Sequence, residues 1–173
     1  MRKTLFYFAV SGWMLGFIVH LTALIGDYDL SRKIPFLRLL HVGIFIVWIP
    51  TILLLRKKTE AEDNKIQTKS RTLSKSLFSE TPAWLKVIAI AGFVYAFINF
   101  ILFTASQSGT PDIKGGQYIL HSHGKLIRTL TEQEYNHYLA NQTRGFSGHW
   151  IAFYGFAAAV LFPFNKRPQV TAN

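Results

Sequence analysis

The sequence predicts an all-α membrane protein: four transmembrane helices, with a small extracytoplasmic β-hairpin plus a short helix between helices 3 and 4. Three observations carry this. Half of the 173 residues are hydrophobic and 15 are Phe, a heavy apolar load for a chain of this length. The apolar residues gather into four runs, over about residues 5–26, 36–55, 84–105 and 148–164, and a spanning helix needs ~20 such residues. The net charge is +10, yet many of the basic residues stand at the ends of those runs. That placement fits the positive-inside rule better than nucleic-acid binding, so the lipid bilayer is the expected partner and no nucleic acid is expected.

The first run, Leu5 to Ile25, is interrupted only by Ser11, His20 and Thr22. It is too long for the apolar core of a signal peptide and lacks an A-x-A-like cleavage site, so a retained helix is expected. A short polar turn leads to the second run, which carries Arg38 and His41 near its start and Pro50 near its end. Pro50 removes one helical hydrogen bond and is expected to kink the helix. Residues 56–83 form a hydrophilic loop with seven basic residues from Arg56 to Lys75. The third run has Lys86 at its start and Asn99 in its second half.

Residues 106–147 form the cap. Tyr118-Ile119-Leu120 suits a strand, Ser122-His123-Gly124 a turn, and Leu126-Ile127 a returning strand. Thr131-x-x-Glu134 is a capping box, so a helix is expected from about Glu132 to about Asn141. Arg144-Gly145-Phe146 is expected to break it, with Ser147 capping the fourth span. Asn141-Gln142-Thr143 matches a glycosylation sequon, a triplet that also arises by chance.

With both termini in the cytoplasm, twelve basic residues fall inside and seven outside. The densest clusters, Arg56-Lys57-Lys58 and Lys166-Arg167, then flank helix ends on the inner side. The protein is expected in a bacterial inner membrane, with the loop 56–83 cytoplasmic and the cap extracytoplasmic.

Small residues let helices approach closely in lipid. The first helix offers Gly12, Gly16 and then His20; the third, Gly92, Ala96 and Asn99; the fourth, Gly148, Ala152, Gly155 and Ala159. The second offers Arg38, His41 and Phe45. His20 lies six residues before Gly26, His41 six after Pro35, and Asn99 seven before Ser106. At ~1.5 Å per residue all three lie about 9–10 Å below the outer helix ends. An ionisable group at such depth is costly and points to function. His20, His41 and Asn99 are therefore the candidate cofactor-binding residues.

A transition metal or haem is the first chemical candidate, because neutral imidazole ligates both. The candidate metal ligands are His121, His123, Glu134, His137 and His149. His121-x-His123 would put two imidazoles on one strand face, and Glu134-x-x-His137 would put carboxylate and imidazole on one helix face. The plainer alternative is that His20, His41 and Asn99 hydrogen-bond one another or the backbone, while Glu134 only caps its helix. Arg144 serves either a site or an interfacial anchor. The chain has no cysteine, which removes disulfides, thiolate ligands and thiol catalysis.

Tyr118, His123-Gly124, Glu134-Tyr135, Arg144 and Phe146-Ser147-Gly148-His149 resemble a pattern of small, uncharacterised four-span bacterial inner-membrane proteins. The resemblance covers about a fifth of the chain. It implies a bacterial inner-membrane setting, and no activity comes with it.

Three functions fit these residues. No nucleophile motif, phosphate loop or H-E-x-x-H is present, which favours a non-catalytic accessory or interaction subunit, with a protein partner or a homo-oligomer. The first alternative is a metal- or haem-binding membrane protein. The second is a membrane enzyme with an outer-face site of Glu134 and His137 or His149.

Overall fold

The computed structural model describes residues 1–26, 29–30, 33–63 and 81–162. Four helices are present among them: α1 (Arg2–Gly26), α2 (Leu39–Asp63), α3 (Ala83–Ser106) and α4 (Glu132–Leu161). A 3-10 turn, Pro35–Arg38, starts on its proline and leads into α2. Proline suits that place because an N–H there would have no helical partner. A three-stranded antiparallel sheet, β1 (Thr110–Lys114), β2 (Gln117–Ser122) and β3 (Lys125–Thr129), lies between α3 and α4.

Among the described residues three helices, not the expected four, are long and apolar enough to cross a membrane: Arg2–Ile25, Pro35–Leu54 and Ala83–Ser106. The chain is thus a membrane-associated helical protein with a small sheet. The fourth expected span, 148–164, is the second half of α4 as far as Leu161, and residues 163–164 lie outside the described residues. The reason α4 reads as less apolar is its position. It packs against α1, α2 and α3, so much of its surface meets protein rather than lipid. Residues that allow close approach, such as Gly148, Ala152, Gly155 and Ala159, replace the large apolar side chains that lipid contact demands.

The expected break at Arg144-Gly145-Phe146 does not occur. α4 is one helix of 30 residues, running from the sheet into the bundle. Glycine lowers helix propensity by only about 1 kcal/mol, which tertiary packing overrides. At Gly145 the ring of Phe103 occupies the place a Cβ would need, 2.7 Å from its Cγ. Gly145 therefore allows close packing rather than ending the helix, and Ser147 is an interior residue instead of a cap.

α1 buries Ala9, Gly12, Gly16, Val19, His20 and Ala23, a stripe of alternating three- and four-residue steps. α3 buries Leu85, Ala89, Ala96 and Asn99 on the same rhythm. Gly12 and Gly16 lie against Tyr154 and Trp150, while a Cβ at Gly92 would lie 3.7 Å from the Cα of Ala152. α2 departs from expectation. Arg38, His41 and Phe45 are exposed, and its buried line is Gly43, Ile44, Val47 and Thr51. This helix is apolar all round, so composition could not tell which side faces protein. α2 also continues through Pro50 to Asp63, well into the expected loop of 56–83, whose residues 64–80 lie outside the described ones.

The cap holds one strand more than the expected hairpin. Lys114 pairs with Gln117 and Ser122 with Lys125, which leaves two-residue turns at Gly115-Gly116 and His123-Gly124. All four turn residues have positive φ, as the tight hairpin turns favoured by strand twist require. The short helix of the expected cap is the first part of α4, and its capping box forms as expected at Thr131 and Glu134. Leu120, Leu130 and Tyr135 make a small core there, joined by Tyr118, Tyr138 and Leu139. The cap is tied to α3 through Asn141, whose Nδ2 donates to Gln107 Oε1 at 2.7 Å and Ser106 Oγ at 3.0 Å. Asn141 is thus a buried, hydrogen-bonded helix residue, a poor glycosylation acceptor.

Candidate functional site

Several polar side chains of the bundle converge on one stretch of α4, residues 143–150. Three helices supply partners to it. From α1, His20 is buried; its Nδ1 lies 2.9 Å from Ser147 Oγ and its Nε2 meets the hydroxyl of Tyr95 on α3. Ser147 Oγ also donates to the Thr143 carbonyl at 2.7 Å. If the hydroxyl's one proton is used there, His20 Nδ1 donates to Ser147 and Nε2 accepts from Tyr95. From α3, Asn99 Nδ2 donates to the Arg144 carbonyl at 3.1 Å. Thr143 donates to Asp29 Oδ1 at 2.7 Å, and both are buried.

His20, His41 and Asn99 therefore all reach this stretch, but not one another. His41 is exposed on α2 and takes the Trp150 indole N–H at 3.4 Å, with its ring edge-on to Phe146. It lines a cavity of about 360 Å³ between α2 and α4 with Asp29, Arg38, Thr143, Phe146 and Trp150. The sequence pointed to His20 and Asn99 through their depth. It missed Tyr95, although Tyr95 stands four residues before Asn99 and so on the same helical face. It also missed Ser147 and Thr143, whose hydroxyls signalled only a cap and a sequon.

The remaining histidines are dispersed. His121 is half-buried on β2, 4.0 Å from Asp112 Oδ2. His123 occupies the exposed turn with φ 49°, so the two do not share a strand face as expected. His137 is exposed beside Tyr138. His149 Nδ1 lies 2.9 Å from the Gly145 carbonyl, and its ring packs on Phe100. Among the described residues, no three His, Asp or Glu side chains come together as a metal centre requires, so the expected histidine cluster does not form.

Glu134 has structural duties. Its carboxylate accepts the Thr131 backbone N–H at 2.8 Å and Arg128 Nη1 at 2.7 Å. The Thr131 N–H first and Arg128 next hold the carboxyl below the usual range. It shares a shallow cavity with His137, Arg128 and Tyr138. The stability that this depressed carboxyl brings to the cap is present above the unfolded pKa and lost as pH falls through the folded one. The protection of the first turn of α4 against hydrogen exchange, taken relative to the intrinsic rate at each pH, should therefore fall on acidification through and below the ordinary glutamate range. The Glu134→Gln variant should lack that pH dependence; an unchanged profile in the variant would assign the effect elsewhere.

Compared with family models, curated proteins and solved structures, the chain matches none.

Proposed function

We propose that the chain is an accessory or interaction subunit of a bacterial inner membrane, with both termini cytoplasmic, offering its cap to a partner on the outer side. The observation that supports this is β3. All five of its residues are exposed, Leu126 by 62% and Ile127 by 48%. Its outer edge has no strand beside it among the described residues. A free strand edge is a ready template for pairing with another chain. The single helix α4 ties this strand to the bundle, so a partner docked on the sheet would be coupled to the membrane helices.

A photo-crosslinking residue at Leu126, introduced in native membranes, should give one discrete adduct. Ile127→Glu should abolish it, and the same probe at Val94, on the exposed side of α3, should give none. A cysteine at Lys114 should react with an impermeant reagent from outside in the same preparation. A diffuse smear or no adduct at Leu126 would sink the proposal, and labelling at Lys114 only after lysis would reverse the orientation.

A further inference from the structure

We infer that Arg144 is the anchor of a phosphate-binding groove that opens to lipid between α1 and α3. The guanidinium projects from α4 and bears electrostatically on both His20 and Tyr95. Its Nε is buried and has no hydrogen-bond partner, and among the described residues it forms no ion pair. The Arg144 carbonyl, by contrast, is fully engaged by Asn99 and Ser147. A charged group held in this way is costly, because its desolvation is not offset by an opposite charge.

The surroundings say which counter-charge fits. Among the described acidic side chains, Asp29 Oδ1 accepts from Thr143, and Glu134 is held by Arg128 and Thr131. His20 and Tyr95 bond each other. The large side chains exposed on the two helices beyond them are apolar. Leu24 stands one turn above His20 and is 47% exposed, and Ile98 and Leu102 continue the Tyr95 side, 49% and 55% exposed. Asn99, which bonds the Arg144 backbone, lies about 10 Å below the cap-side end of α3 at ~1.5 Å per residue. Helical side chains lean toward the helix N-terminus, which for α4 is the cap side. The Arg144 head is thus raised toward the headgroup level of the cap-side leaflet. Guanidinium is the side chain suited to two-pronged binding of phosphate oxygens. A phospholipid headgroup fits all of this: phosphate on Arg144, acyl chain along Leu24, Ile98 and Leu102. Free phosphate has the same chemistry without the tail.

The test uses the purified full-length chain in a phosphate-free sugar detergent. Three probes are added separately: phosphatidylglycerol, diacylglycerol with the same tails, and inorganic phosphate. Retained lipid is read by native mass spectrometry and stability by thermal melting. Wild type should retain phosphatidylglycerol and melt higher with it, but not with diacylglycerol. Arg144→Gln should weaken retention by about tenfold or more, as for loss of a charged hydrogen-bonding group. Arg144→Lys keeps the charge but loses the fork; it should retain the lipid several-fold more weakly than wild type, and it carries the test if Arg144→Gln does not fold. A melting shift with inorganic phosphate equal to that with lipid, and lost in the variants, would make a free anion the ligand. Equal retention of both lipids, or retention unchanged in the folded variants, would overturn the site.

Discussion

Replacing Tyr154 by alanine should destabilise the bundle by about 3 kcal/mol or more, the range for deleting a buried aromatic ring. Tyr154 is fully buried and is the largest such side chain among the described residues. Its ring fills the space left by two glycines. A Cβ at Gly12 would lie 2.6 Å from Tyr154 Cε1, and one at Gly43 would meet the hydroxyl. The hydroxyl donates to the Leu40 carbonyl at 2.7 Å. One side chain of α4 therefore locks both α1 and α2. In lipid the transfer of apolar surface from water contributes little, so the loss comes from packing contacts and the void left behind. Tyr154→Phe keeps the ring and should cost only about 1 kcal/mol, the net worth of one hydrogen bond. Reversible unfolding in mixed micelles measures both. Equal losses for the two variants would mean that the hydroxyl, not the ring, holds the helices together.

How far the sequence could lead is visible in the same contacts. The small-residue lines of α1, α3 and α4 were legible because glycine and alanine at three- and four-residue steps have few other uses in an apolar helix. The buried face of α2 was not, since isoleucine, valine and leucine surround it and only Gly43 marks the contact with Tyr154. The continuity of α4 was hidden for a related reason. A glycine beside an arginine signals a break locally, whereas Gly145 answers to Phe103 on another helix, and no local pattern carries that. β1 was missed because Gly115-Gly116 resembled loop composition, although two glycines between short runs also suit a tight hairpin. The places of the histidines along their helices were legible, but not their direction. His20 and Asn99 turn inward, His41 lies at the surface, and only the packing of α4 decides which.

Gly148→Val should loosen α3 by about 2–3 kcal/mol. Only 17% of its apolar span is buried, so its hold on the bundle is a narrow seam. Three close approaches make up much of that seam: Phe103 over Gly145, Asn99 over Gly148, and Gly92 beside Ala152. A Cβ at Gly148 would collide with Asn99 Nδ2 and sit 3.2 Å from its Cγ. Asn99 has nowhere to retreat while it donates to the Arg144 carbonyl, so α3 must shift or the hydrogen bond must break. Overpacking of this kind costs about 1–3 kcal/mol, and a broken hydrogen bond about 1 more. Valine would regain a few tenths of a kcal/mol of helix propensity over glycine, too little to change the sign. The decisive comparison is a double-mutant cycle with Asn99→Ala. That change costs the hydrogen bond but removes the obstacle, so Gly148→Val should be much less harmful in its presence, with a coupling of about 1 kcal/mol or more. Losses that simply add would mean that Asn99 and Gly148 do not meet, and that α3 is held by some other surface.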